Sequence, residues 1–263
     1  MSAAYLTIDD SPSIHTLSLC DFLSKQHAPA LFYCRGDNIE AHPDVLPEVI
    51  QRGFVIGNHG YAHKRAIHMS FEEITADILK CEALIDDAYA RAGIERPGKY
   101  FRFPYLDRGC GGWIVDFQDM DEETRDIVQN LFAEGLYLDG AVPTKELRAK
   151  KEQLQKWLKD QGFSVPFSDV NFPWYQHPQM RDARDALYTF STADWMMTAR
   201  HQALDHPFKT MDDLKRKIDN DPYLWDERSH NIVLIHDQVE LKDVFMPLVR
   251  YMTRQGIKFL PIA

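Results

Sequence analysis

Tyr5-Leu6-Thr7-Ile8-Asp9-Asp10-Ser11-Pro12 is the stretch on which the reading of this chain turns. Tyr5, Leu6, Thr7 and Ile8 suit a buried strand, and Pro12 cannot continue its ladder. The strand therefore ends on two adjacent carboxylates. Neighbouring aspartates at the end of a buried strand repel each other unless a cation or an arginine takes up their charge. Taken alone, the stretch is read more simply as a strand followed by an Asx-type turn. The rest of the chain changes that reading, because it repeatedly sets metal-ligand and acid/base residues just after strand-like runs.

Working outward, Ile14–Gln26 carries Leu17, Leu19, Phe22 and Leu23 at helical spacing, and Ala28–Cys34 reads as a short strand. Asp44–Arg52 is helical and stops at Gly53, and Phe54–Gly57 is again apolar. Strands alternating with helices argue for parallel βαβ units and an α/β fold. Catalytic groups in such folds gather at the C-terminal strand ends. Ser70-Phe71-Glu72-Glu73 is a capping-box pattern, opening a helix that runs to about Gly93. Lys99–Tyr105 reads as a strand ending in Arg102-Phe103-Pro104-Tyr105. Later come a strand at Leu187–Ser191 leading to Asp194-Trp195, a helix start at Asp212–Lys217 and a buried strand at Asn231–Ile235 ending on His236-Asp237. A helix over Val244–Gln255 and a strand over Ile257–Pro261 close the chain.

The middle is harder to read. Asp121–Ala133 and Thr144–Gln161 look helical and highly charged, while Leu136–Val142 reads as a strand or a packed connection. Gly109–Gly112 lacks the spacing of a phosphate loop and is assigned flexibility only. The aromatics of Asn171–His177 are read as core in preference to a sugar platform. With no repeat, low-complexity tract or linker, residues 1–263 are read as one domain.

Thirty Lys and Arg against forty Asp and Glu leave a formal charge of −10, which speaks against a phosphate-tracking nucleic-acid surface. No apolar run approaches the ~20 residues of a membrane span. No basic n-region or apolar h-region opens the chain, so the expectation is a soluble, cytoplasmic protein. Cys20, Cys34, Cys81 and Cys110 are far apart, form no CxxC and are expected to be buried thiols, with two disulfides as the alternative.

After Phe54–Gly57 the chain reads Asn58-His59-Gly60-Tyr61-Ala62-His63. Two histidines four apart can turn their rings toward one ion. Combined with a strand-end carboxylate they form a candidate His₂Asp site, and three protein ligands would leave positions open for water, as a catalytic metal requires. His68 is off that spacing. Arg102 is either a surface charge or a two-pronged grip on a carboxylate.

Read together and in order, Thr7-Ile8-Asp9-Asp10, His59-x-x-x-His63, Arg102-Phe103-Pro104-Tyr105, Asp194-Trp195 and Leu234-Ile235-His236 resemble the polysaccharide deacetylase family with the NodB-homology domain, carbohydrate esterase family 4. The resemblance implies a distorted (β/α) barrel with its site at the C-terminal strand ends. It also implies a divalent metal, usually zinc, with cobalt or nickel also suited to the ligands, and hydrolysis of an N- or O-acetyl group on a sugar or oligosaccharide. On this resemblance Asp10, His59 and His63 would be the metal ligands. Asp9 would be the general base for the attacking water, and the metal and the Tyr105 N–H would stabilise the oxyanion. His236 would protonate the leaving amine. Arg102 would orient Asp9 and Asp194 would keep His236 protonated. Leu234 and Trp195, with Pro104, would form the substrate pocket that takes the acetyl methyl.

Three departures accompany the resemblance. Ser11 stands where many relatives have glycine. The segment between Tyr105 and Asp194 is longer than usual, and the excess, about 109–161, is read as a helical insertion between the third and fourth motifs. Two roles stand open for it: narrowing a cleft into a pocket, or building a homo-oligomer contact. Relatives that act on cell-wall polymers are mostly exported, which, without a signal here, favours a small acetylated sugar inside the cell. The alternatives are an amidohydrolase of the same fold acting on a small non-sugar C–N bond, and a non-catalytic carbohydrate-binding protein.

Overall fold

In a computed structural model, residues 2–110, 116–136 and 142–262 are described. Six strands, β1 (Ala3–Ser11), β2 (Ala30–Cys34), β3 (Val55–Asn58), β4 (Phe190–Ser191), β5 (Asn231–His236) and β6 (Lys258–Phe259), form a single parallel sheet. Its order is β3-β2-β1-β5-β4, with β6 beside the start of β1. Ten helices among the described residues connect and cover it. They are α1 (Thr16–Lys25), α2 (Gly36–Ala41), α3 (Val45–Gln51), α4 (Phe71–Ala92), α5 (Glu122–Ala133), α6 (Lys145–Asp160), α7 (Pro178–Arg181), α8 (Ala199–Gln202), α9 (Met211–Asn220) and α10 (Lys242–Gln255).

The central strands read as unbroken apolar runs because both of their faces are buried. On β1, Ala4, Leu6 and Ile8 face the large core formed with α1, α3, α4, α9 and α10. Tyr5 faces a second core containing Val128, Phe132, Phe172, Trp174 and Tyr188. On β5, Val233 and Ile235 join the first core, Ile232 and Leu234 the second. The aromatics of Asn171–His177 are thus core, as read. All four cysteines are buried, and none forms a disulfide among the described residues.

The sheet closes irregularly. The expected strand at Lys99–Tyr105 is reduced to isolated bridges, Asn58 with Phe101 and Lys99 with Phe163. On its far side the Ala186 N–H donates to the Phe101 carbonyl at 2.8 Å, and the Thr189 N–H donates to the Ile232 carbonyl at 2.9 Å. These bonds carry the path from β3 round to β4 and β5, giving a distorted barrel. A fully buried Arg108–Asp185 ion pair at 2.8 Å pins the segment before Ala186, and α6 reaches the same aspartate through Gln155. Of the expected strand Leu187–Ser191, only Phe190–Ser191 enters the ladder. Helix α2 was not foreseen.

Helices α5 and α6 lie where the charged segments were read as helical. α5 buries Val128 and Phe132, and α6 packs Leu154 and Leu158 against Phe101, Phe103 and Phe163. Most of the Leu136–Val142 connection and part of the Gly109–Gly112 loop lie outside the described residues. No helix among the described residues is long and apolar enough to cross a membrane.

Candidate active site

The C-terminal end of β1 departs from regular pleating. Successive strand residues point to opposite faces, yet Asp9 and Asp10 both line one cavity. The β1–β2 register shifts between Ile8 and Ser11, and Asp10 has φ 68°, a left-handed conformation that aspartate tolerates better than most residues. Beyond the bulge, the Ser11 hydroxyl donates to Asp237 at 3.0 Å, and the Ser13 and Thr16 hydroxyls donate to the same buried carboxylate. A serine at this turn is thereby given a partner.

The histidine turn is held from α4. Ser70 and Glu73 form the reciprocal capping box, worth about 1 kcal/mol to the helix start. Further along α4, Asp77 accepts hydrogen bonds from the Tyr61 N–H at 2.6 Å and the Ala62 N–H at 3.0 Å. Asn58 donates to Glu82 at 2.9 Å and accepts from the Gly60 N–H at 2.8 Å. Gly60 has φ 72°, and a Cβ there would lie 2.8 Å from an Asp77 oxygen, so the turn requires glycine.

This scaffold brings Asp10, His59 and His63 together, with one ligand-type atom of each lying within 4.8 Å of the others. His63 Nε2 is 3.2 Å and His59 Nε2 3.9 Å from Asp10 Oδ1. The His59 Nδ1 faces the Arg102 carbonyl at 2.8 Å, so its other nitrogen is directed to the carboxylates. Asp10 Oδ2 accepts from Gln238 at 2.6 Å, whereas Asp10 Oδ1 is buried without a hydrogen-bond partner. Burial pushes the His63 ring down to about 4, against the pull of Asp10. Burial opposes ionisation of Asp10, but His63, His236 and His59 outweigh it and hold that carboxyl well below the usual range. A neutral His63 imidazole beside a carboxylate with an unpartnered buried oxygen suits a divalent cation. His68 lies outside this group.

Asp9 and His236 flank the cluster with separate partners. Arg102 is fully buried, and its Nη1 donates to Asp9 Oδ1 at 2.7 Å and to the Thr7 hydroxyl at 2.9 Å. Its Nε donates to the Ala186 carbonyl. The two-pronged grip is therefore corrected to a single prong, because the guanidinium also ties the barrel seam. Asp194, fully buried, meets His236 Nδ1 at 2.8 Å and accepts from the His236 backbone N–H at 2.9 Å. Burial alone would lower His236, but Asp194, followed by Asp10 and Asp9, raises it to about 9.

The cavity has a volume of about 290 Å³ and takes in Asp9, Asp10, His59, His63, His236 and Gln238. Leu234 and Trp195 form part of its wall. Tyr105 stands at the opening with φ 57°, its ring 4.6 Å from that of His63 and beneath the Arg65 guanidinium. Pro104 does not line the cavity; it is buried beside Gly60 and supports the turn from behind. Sequence reasoning missed Gln238, Tyr188 and Glu134. Gln238 lies two residues past His236 and was within reach of a closer reading; nothing in the sequence singles out the other two.

A model of the family described as polysaccharide deacetylase matches residues 2–111, the part that holds Asp9, Asp10, His59, His63, Arg102 and Tyr105. The chain is similar to the polysaccharide deacetylase family over that stretch, about two fifths of its length. A Bacillus cereus peptidoglycan-N-acetylglucosamine deacetylase is 26% identical over 170 residues, 57% of this chain and 60% of that protein. A chitin deacetylase of Colletotrichum lindemuthianum is 33% identical over 136 residues, 48% of this chain and 53% of that protein. The chain thus spans between about half and three fifths of the length of these curated relatives. Among solved structures, a family 4 carbohydrate esterase from Streptomyces lividans in complex with acetate aligns with 100% of this chain and 93% of its own. Its TM-score is 0.57 at 15% identity, a likeness that shows the fold.

Proposed function

We propose that this chain is a member of the polysaccharide deacetylase family and a metal-dependent hydrolase that removes acetyl groups, N-acetyl first among them, from a carbohydrate. The observation that carries the reading is the unpartnered, buried Asp10 Oδ1 facing His59 and His63, with Asp9 and His236 in the same cavity.

Asp10, His59 and His63 would hold a divalent ion, with zinc, cobalt and nickel all suited to the donor set. Such an ion supplies Lewis-acid polarisation of the acetyl carbonyl and lowers the pKa of water. Asp9, fixed by Arg102, is placed to take the proton of the attacking water. The Tyr105 backbone N–H would donate to the developing oxyanion. His236, kept protonated by Asp194, gives its proton to the leaving nitrogen. Base and acid thus each face a partner of opposite charge. Leu234 and Trp195 take up the acetyl methyl.

The test is acetate release from N-acetylglucosamine, its oligomers, acetylated xylan and an aryl acetate, with wild type beside His59→Ala. Release from a sugar substrate that vanishes in the variant supports the reading. Bound metal without acetate release from any of them would instead favour hydrolysis of a non-sugar amide.

A further inference from the structure

We propose that Glu134 is a positioning residue that sets the width of the acyl side of the cavity by holding Trp195 and Tyr188 in one arrangement. The inference rests on the deacetylase reading and adds a specificity device to it.

Glu134 directly follows α5 and caps it in a left-handed conformation, φ 51° and ψ 35°. It is buried, yet it lines the cavity together with Tyr188, Trp195 and Leu234. The two carboxylate oxygens have separate donors. Oε2 accepts the Trp195 indole N–H at 2.7 Å, and Oε1 accepts the Tyr188 hydroxyl at 3.2 Å. An indole N–H can only donate, so an acceptor at this position is needed to hold the ring. Tyr188 stays protonated, because burial and the nearby Glu134 charge push its hydroxyl well above the ordinary tyrosine range.

The surroundings fit a fixed wall. Two residues before the cap, Phe132 packs against Tyr188 with ring centroids 4.8 Å apart, anchoring the helix end beside the ring it holds. The other side of the Trp195 indole meets His201 and His206 edge-on at 4.7 and 5.2 Å. The indole is thus held at its N–H by Glu134 and at its edge by two imidazoles. Without the carboxylate, two donors in the wall would lose their acceptor, and the indole would be free to turn and open the cavity. A helix that contributes no group to the proton transfers would thereby decide how large an acyl group enters.

One added methylene in an apolar pocket changes selectivity by roughly 10–200-fold. The experiment compares kcat/KM for N-acetyl and N-propionyl forms of one glucosamine oligomer in wild type, Glu134→Ala and Glu134→Gln, with metal content measured for each. The expected result is an acetyl-over-propionyl ratio that falls by about tenfold in Glu134→Ala at unchanged metal content. Glu134→Gln recovers the wild-type ratio, since its amide oxygen can accept from Trp195 while its NH₂ donates to the Tyr188 oxygen. Should Glu134→Ala fail to fold, Tyr188→Phe keeps the ring and removes one tether, with a smaller fall expected. An active wild type whose ratio is unchanged in both Glu134→Ala and Tyr188→Phe overturns the inference and leaves the deacetylase reading standing. A wild type that hydrolyses neither substrate overturns both.

Discussion

Arg102 Nη1 and Asp9 Oδ1 stand 2.7 Å apart in a fully buried contact, and the same guanidinium ties the barrel seam through the Ala186 carbonyl. One residue therefore serves both the base and the closure of the fold. Arg102→Ala should destabilise the protein by about 3–5 kcal/mol, because it leaves the Asp9 charge buried without its partner. Denaturant unfolding measures this. Asp9→Asn, which keeps the shape, should retain the metal and lose roughly 10²–10⁴-fold in kcat. Unchanged turnover would remove Asp9 from the base role.

The His236–Asp194 pair makes a prediction about pH. His236 is raised to about 9 in the folded protein, against an ordinary 6.5. A raised folded-state value means that the folded protein holds a proton the unfolded chain releases. The stabilising contribution is therefore complete below pH 6.5 and is lost as pH rises through 9. Thermal melts of metal-free protein should show Tm falling across that window. Asp194→Asn should flatten the fall and move the alkaline limb of the rate profile toward pH 6.5. A limb that stays in place would exclude His236 as the acid.

Gln238 touches the candidate metal site from behind, donating to Asp10 Oδ2 at 2.6 Å. Removing a partner of this kind costs about 10–100-fold in metal affinity. Gln238→Ala should show that loss in a chelator competition while its unfolding midpoint in metal-free protein changes little.

Asp77 holds the histidine turn at a distance from the chemistry, through two backbone N–H groups. Asp77→Ala would leave those donors without their acceptor, at about 1–3 kcal/mol. The turn would then loosen, so the variant should lose stability and metal affinity together. Full metal affinity in a destabilised variant would show that the turn keeps its shape without α4.

The fold was legible where the sequence signals are local. The apolar run before Asp9 and the one before His236 became β1 and β5, and the Ser70–Glu73 box begins α4 as read. Lys99–Tyr105 misled because its alternating aromatics look like a strand, whereas its ladder depends on isolated bonds, two to Asn58 and one to Ala186, that no local pattern encodes. The Asp-His-His group was legible as strand-end residues, and the structure brings those three together. Pro104 read as substrate-binding from its place in a motif, but its ring lies behind the Gly60 turn. Glu134 was invisible because its meaning comes from Tyr188 and Trp195, more than fifty residues away.

The central claim is that acetyl hydrolysis depends on an ion held by Asp10, His59 and His63. Its most direct test is acetate release from an N-acetylglucosamine oligomer by protein stripped with a chelator and then titrated with zinc, cobalt or nickel. The account predicts no release from stripped protein and recovery that saturates at about one metal per chain, with neither binding nor recovery in His59→Ala. Full release from stripped protein, or recovery in His59→Ala, would contradict it.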